Sequence, residues 1–330
     1  MTDASPRVWL LLGPRVGDNN QALALAEGLG EPFAVKTLAY NGLQRLSLWL
    51  PPTLASLRRE HRQDLVAPWP EVVIAVGRRS VPVARWIRAR SRGRTRIVRI
   101  GHPHGQDRHF DLIITTRQYQ TPTGDNVLLL PVSMSRFVPP PPPTDEEKIW
   151  IDALQRPIRL VAIGGPTKYW CLNADAIVRS LEMDKQGSAV AVISRRTPSS
   201  LVGRLRKIVA ASPAMRLVEG GFPSFSALLG QADEIYVTGD SISMISEAVQ
   251  TGKPVAIIPC ARDAKGLRQL GAEPRSHGRG AFRRDIRRFW DFLVEQGLAG
   301  TSQTGPLRPR EVPRPTDLAV VAVKGLLDGG

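Results

Sequence analysis

The chain has 330 residues, 42% of them apolar and 23% charged, enough for two domains with cores of their own. No apolar run approaches the ~18 residues of a membrane-spanning helix, the start Met-Thr-Asp-Ala-Ser-Pro has neither the basic nor the apolar region of a signal peptide, and two cysteines exclude a disulfide scaffold or a cysteine-built zinc site. Forty-five Lys and Arg against thirty acids leave a net charge of +15, so the expected partners are anions: nucleotide phosphates, an acidic acceptor or an anionic membrane surface.

Residues 7–13 read as an apolar strand, and Ala22, Leu25, Ala26 and Leu29 as the buried stripe of a following helix that Gly30 stops. A second strand covers 33–40. The turn between strand and helix is not the Gly-x-Gly-x-x-Gly fingerprint, so NAD binding is not indicated. Asp18 or Asn19 is placed as the N-cap of that helix, above the strand ends where open α/β sheets bind ligands. Residues 43–59 carry Leu43, Leu46, Leu48, Trp49, Leu50, Leu54 and Leu57, broken by Pro51-Pro52 and edged by Arg45, Arg58 and Arg59. That pattern fits a broken helix packed on its own domain or a segment lying in a bilayer interface.

Strands follow at 71–77, 96–100, 111–115 and 126–131, with an Arg-studded helix over 78–90. The strand at 96–100 ends in Gly101-His102-Pro103-His104-Gly105. No third ligand or second shell accompanies the two histidines, so no metal site is expected there. A loop histidine that bonds substrate, or a plain surface one, is the alternative. Pro139–Pro143 has no backbone donors and favours polyproline II, which marks a domain boundary.

Beyond it a second α/β series runs: a strand at 158–164 opening into Gly164-Gly165-Pro166-Thr167-Lys168, and a helix from an Asn173 cap to about Lys185. Next come a strand at 189–193 ending in Ser194-Arg195-Arg196-Thr197, a helix over 199–211, and a strand at 215–219 ending in Gly220-Gly221-Phe222. The stretch 234–259 then reads strand, turn, helix, Gly stop, strand, with Ile242, Ile245, Ala248 and Val249 buried and Asp240 or Ser241 as cap. A helix start behind a parallel strand is a ready anion site. Glu247, almost two turns in, is placed to grip ribose hydroxyls, Arg195 a phosphate, and the diglycine a ligand close to the backbone. Residues 283–296 read as an amphipathic helix, 301–315 as irregular, and Thr316 or Asp317 as the cap of a last helix to Leu327.

The pattern Thr-Gly-Asp-Ser-x-x-Met-x-x-Glu-Ala-x-x-x-Gly-Lys-Pro at 238–254 resembles the donor-binding signature of GT-B-type glycosyltransferases. With Gly17-Asp18-Asn19-x-Gln21, Gly101-His102-Pro103, Gly164-Gly165-Pro166-Thr167-Lys168 and Ser194-Arg195-Arg196-Thr197, the chain resembles the family of mitochondrial-fission (elongated-mitochondria) proteins of plants and their bacterial relatives. The resemblance implies a GT-B-like fold of two Rossmann-like domains facing a cleft: residues 1–138 for the acceptor, a Pro-rich linker at 139–147, residues 148–300 for a nucleotide-sugar, and a Pro-rich segment with a C-terminal helix at 301–330. A helix crossing back to the first domain belongs to that fold, and either 283–296 or the last helix would serve.

On this reading the donor residues are Gly164, Gly165, Thr167, Lys168, Ser194, Arg195, Gly221, Phe222, Gly239, Asp240, Ser241 and Glu247. Gly17, Asn19, Gln21 and Arg78 form the acceptor side. Asp18, or else His102, is the base that deprotonates the acceptor hydroxyl. Neither metal nor cofactor is expected, the nucleotide-sugar being substrate and the acceptor a cell-envelope, lipid-linked or acidic sugar at the inner face of the inner membrane. Two other classes stay open. A nucleotide-sugar epimerase would need clustered carboxylates, of which the loops carry few beyond Asp18; a basic membrane adaptor would match the plant relatives' part in fission. Nucleic acid fits poorly, since no zinc-finger spacing, aromatic RNP strand or helix-turn-helix accompanies the charge. The two cysteines suit a reducing, cytoplasmic setting.

Overall fold

The computed structural model describes residues 6–47, 49–120, 124–182, 187–271, 273–274 and 284–328. Leu48 and Lys185, named above, and position 283, the expected start of a helix, lie outside them. The chain divides into two compact units, residues 1–117 with 121–136 and 313–330, and residues 118–120 with 137–312.

The first unit opens with β1 (Val8–Leu12), α1 (Val16–Leu29) and β2 (Phe33–Thr37), then β3 (Val72–Val76), α2 (Val81–Arg90), β4 (Arg96–Ile100), β5 (Leu112–Thr115) and β6 (Val127–Leu129). Its sheet is parallel, in the order β2-β1-β3-β4-β5-β6. Val-Trp-Leu-Leu-Leu in β1 and Val-Val-Ile-Ala-Val in β3 are buried at every position, as strands covered on both faces must be. Leu10 and Ile74 meet Leu25 and Leu29 of α1 on one face; Leu11 and Val73 meet Val83 and Ile87 of α2 on the other. Each fully buried Leu or Ile contributes about 1.5–3 kcal/mol.

The second unit contains α3 (Asp145–Asp152), β7 (Ile158–Ile163), β8 (Trp170–Cys171), α4 (Ala174–Leu181), β9 (Ser188–Ile193), α5 (Ser199–Ala210), β10 (Met215–Val218), α6 (Phe225–Gln231), β11 (Glu234–Thr238), α7 (Ile242–Gln250), β12 (Val255–Ile258), β13 (Ala261–Arg262), α8 (Ala264–Leu270), α9 (Arg287–Glu295) and β14 (Gly300–Thr301). The main sheet is again parallel, ordered β10-β9-β7-β11-β12-β14, and β13 pairs antiparallel with β8. Helices α4 and α5 cover one face over Val161, Ile163, Ala189 and Ala191. The last helix, α10 (Pro315–Asp328), belongs to the first unit, where Ala319, Val323 and Leu327 join the α1 core. At Gly28 a side chain would collide with Val320 of α10, so glycine there lets the two helices approach.

Several local readings are corrected. Helix α1 starts at Val16 with Arg15 at its cap position, so Gly17, Asp18 and Asn19 lie in its first turn and neither acid nor amide caps it. Thr316 and Asp317 are likewise inside α10, which Pro315 opens; a proline at the first helical position loses nothing, its missing N–H being unpaired there anyway. Among its described residues the segment 43–59 holds no α-helix; a short 3₁₀ helix, Gly42–Leu46, opens it and a second, Arg59–His61, begins at its end. Helix α3 begins within the stretch assigned to the linker, because Thr144 and Glu147 close a capping box. Residues 301–315 are not wholly irregular: β14 adds a sixth strand, and Leu307 bridges Val255. Two residues of strand carry too little periodicity to be read from sequence.

In each sheet the strand order reverses once, between β1 and β3 and between β7 and β11. Ligands of open α/β sheets bind outside the carboxyl ends of the strands at such reversals. Among the described residues, no helix is long and apolar enough to cross a membrane.

Candidate functional site

At the reversal in the second unit, three loops are tied together by one buried carboxylate. Asp240, only 2% exposed, follows β11. Its Oδ2 accepts from the Gly165 N–H at 3.0 Å and from Arg196 Nη2 at 2.8 Å, and its Oδ1 from the Thr238 hydroxyl at 2.7 Å. Thr238 Oγ1 in turn accepts from the Gly164 N–H at 2.8 Å, and Arg196 Nη1 donates to Gly165 O at 2.9 Å. Thr197 Oγ1 donates to Gly164 O at 2.6 Å and accepts from the Ser194 N–H at 3.0 Å.

This lock changes the meaning of the glycines. A side chain at Gly164 would overlap the Asp240 carboxylate, one at Gly165 the backbone of Arg196, and one at Gly239 the ring of Trp290. The close approach they permit is therefore to the protein itself. Trp290 Nε1 also donates to Gly239 O at 2.9 Å, and its ring meets Trp170 edge-on at 5.5 Å. Asp240 does not cap α7. That role falls to Ser241, whose Oγ accepts from the Met244 N–H at 3.4 Å. A carboxylate engaged by three donors behind the turn cannot also reach forward to the helix start.

Arg195, Lys168 and the Thr167 hydroxyl take no part in this lock. Arg195 is exposed and, among the described residues, makes no hydrogen bond or ion pair; its neighbour Arg196 is the one that holds the loop. Lys168 is exposed, its Nζ 4.8 Å from the centre of the Tyr169 ring and, among the described residues, without a carboxylate partner. Thr167 Oγ1 is buried without a hydrogen-bond partner. Gly221 and Phe222 stand exposed after β10, and Glu247 is half-buried on α7. A cavity of about 380 Å³ lined by Asn173, Arg179, Tyr236, Pro259 and Gln303 opens beside α4, and none of the donor set lines it.

At the reversal in the first unit the lock is a cation. Arg99, 2% exposed, donates to Gly77 O at 2.6 Å and to His102 O at 3.2 Å, fixing the loops after β3 and β4. His102 is buried, and its Nδ1 accepts from the His104 N–H at 2.9 Å, so its ring hydrogen sits on Nε2. In that tautomer His102 offers a donor rather than a base. The two imidazole rings are 4.7 Å apart. Desolvation, with the neighbouring His102, Arg99 and Arg78, holds His104 down at about 4. Arg78 and Arg79 carry no ion pair among the described residues. Asn19 grips the end of β1 instead of capping: its Oδ1 accepts from the Gly13 N–H at 3.1 Å and its Nδ2 donates to Gly13 O at 2.7 Å. Asp18, half-buried, lies 3.9 Å from Arg15, and Gln21 is half-buried one turn on.

Sequence assigns no site role to Arg196, Arg99 or Trp290, the last standing only on the apolar stripe of the 283–296 helix. An arginine inside the apolar strand Ile-Val-Arg-Ile was the available signal for Arg99; nothing local marked Trp290. Among the described residues no group of three or more His, Cys, Asp or Glu could hold a metal ion.

Comparison with solved structures gives the UDP-GlcNAc 2-epimerase of Methanocaldococcus jannaschii, 11% identical, covering 98% of this chain and 99% of that one with a TM-score of 0.52. A glycosyltransferase of Rickettsia africae ESF-5 is 8% identical over 98% of this chain and 99% of its own, with a TM-score of 0.51. At such identity the likeness is one of fold: two Rossmann-like α/β units of the GT-B type. The mitochondrial fission protein ELM1 of Arabidopsis thaliana is 27% identical over 227 residues, 60% of this chain and 53% of that protein, so the match spans about half the length of that relative. The profile of the family described as mitochondrial fission ELM1 matches residues 16–279, most of the sequence, and the chain belongs to that family.

Proposed function

We propose that the protein is a glycosyltransferase that takes a sugar from a nucleotide-sugar and passes it to a cell-envelope acceptor, lipid-linked or acidic. The observation that carries this reading is the locked edge at the β7/β11 reversal. Three loops are fixed there by Asp240 and Arg196, while Lys168, Arg195 and the α7 start remain uncommitted to any carboxylate. Positive groups fixed before the reaction begins stabilise a leaving diphosphate without reorganisation. Ser241 and the first N–H groups of α7 receive the diphosphate, Lys168 and Arg195 neutralise it, and Glu247 takes the ribose hydroxyls. The acceptor hydroxyl attacks the anomeric carbon, the bond from that carbon to the diphosphate oxygen breaks, and the hydroxyl proton passes to Asp18. Arg78 and Arg79 in the first unit suit an acceptor that carries negative charge.

The test is calorimetry of UDP, GDP, CMP and their sugars with the purified protein and with Glu247→Ala. Micromolar affinity for one nucleotide, reduced in the variant, supports the reading; no binding by any of them removes it. The likeness to the epimerase supports a second reading on the same donor site. Incubating the bound nucleotide-sugar without acceptor separates the two, because only an epimerase then yields an epimer.

A further inference from the structure

We propose that residues 42–47 and 49–59 form a docking surface for an anionic lipid bilayer. The segment places Leu43 (44% exposed), Leu46 (51%) and Trp49 (85%) in solvent, with Pro51 and Pro52 exposed behind them. Tryptophan has an apolar body and a polar N–H, which suits the boundary between acyl chains and headgroups better than water.

These side chains are not open because the loop is loose. The Asn41 side chain accepts from the Leu43 N–H at 2.9 Å and donates to the carbonyls of Ala55 (2.7 Å) and Leu57 (3.2 Å). Arg62 donates to Leu57 O at 2.8 Å, and the Thr53 N–H to Pro82 O at 3.2 Å on α2. A fixed loop that presents three large apolar side chains outward has left their burial to something else.

Charge identifies the occupant. The side chains of Arg45, Arg58 and Arg59 are exposed and make no hydrogen bond or ion pair among the described residues. The Arg58 N–H bonds Ala39 O at 3.0 Å and the Asn41 N–H bonds Ser56 O at 2.9 Å, which sets Arg58 beside the base of the apolar turn. Between residues 41 and 66 the acids are Glu60 and Asp64, and the fourth arginine, Arg62, is spent inside the loop. An apolar tip with unpaired arginines at its foot matches a leaflet of anionic headgroups over acyl chains. A protein partner would have to supply both an apolar socket and acids around it. The inference stands apart from the donor site and holds whether or not a nucleotide binds.

The experiment is sedimentation of the full chain with vesicles of phosphatidylglycerol and phosphatidylcholine, and of phosphatidylcholine alone. Wild type is expected to partition at least tenfold better onto the anionic vesicles. The Leu43→Ser/Leu46→Ser/Trp49→Ser variant should lose tenfold or more. Arg45→Gln/Arg58→Gln/Arg59→Gln should lose about fivefold per arginine at low salt. All six positions are exposed, so the melting temperature should not move. Equal partition onto both vesicle types, or variants that bind as wild type does, overturns the proposal. So does a wild-type dimer that the apolar variant dissolves while vesicle binding is unchanged, which would make the face a contact between two copies.

Discussion

The two strand-order reversals occupy the same place in two similar sheets, yet they are held by groups of opposite sign. In the second unit a buried carboxylate, Asp240, gathers two N–H-bearing groups and a hydroxyl from three loops; in the first a buried guanidinium, Arg99, gathers the carbonyls of two. An acid at the centre of the lock consumes Arg196 and leaves its neighbours Arg195 and Lys168 at the rim. A cation at the centre adds to Arg78 and Arg79, and burial, with the charges of Arg99 and Arg78 behind it, depresses His104. A parallel sheet thus fixes where a site can form, and the sign of the buried group at the strand ends decides what charge is left over to meet a ligand.

The comparison is broken most directly by removing the two buried groups. Asp240→Ala strands the Gly165 N–H, the Thr238 hydroxyl and Arg196, and should cost about 2–3 kcal/mol, below the usual range for a buried pair because Arg196 is 47% exposed. Arg99→Met strands the Gly77 and His102 carbonyls and should cost a similar amount. Denaturant titration measures both, and a loss under about 0.5 kcal/mol in either, the scale of an ordinary surface change, would mean that the lock does not hold the loops. Asp18→Asn tests the acceptor side. It should lower turnover about 100-fold, in the range of general-base contributions, and leave nucleotide affinity alone; unchanged turnover in single-turnover kinetics would move the base elsewhere.

Glu247→Ala should weaken nucleotide binding about tenfold, the worth of one hydrogen bond to a charged group. Equal calorimetric affinity would remove Glu247 from the ribose. The smallest effect concerns His104. With a folded value of about 4 against about 6.5 in the unfolded chain, the unfolded state takes up the proton first as pH falls. His104 therefore costs nothing above about pH 6.5, and stability declines as the pH is lowered from there to about 4. An NMR titration of its ring that gave an ordinary value would show that neither burial nor the cationic edge acts on it.

Much of the fold was legible because its signals are local. The all-apolar strands at 8–12 and 72–76, the Ile242, Ile245, Ala248 and Val249 stripe of α7, and the Asn173 and Ser241 caps each depend on residues within a few positions. The loops that meet at the β7/β11 reversal were legible for the same reason, since each follows a strand. Where local signals competed, the reading went astray. Asp18 and Asn19 look like caps, but Asn19 gives its amide to Gly13 and the helix starts upstream of both.

The sequence by itself determined the α/β alternation, the parallel strands and the loops that follow the strand ends. Those follow from hydrophobic period and turn chemistry, which act over less than two helical turns. The tertiary structure alone decided that Arg196 rather than Arg195 is spent on Asp240, 44 residues away, and that Gly239 is required by Trp290, 51 residues away. It likewise sent α10 to the first unit and left Trp49 in solvent. A charge or a small residue announces itself in the chain, but its partner is whichever group the fold brings within about 3 Å, and local pattern carries no record of that distance.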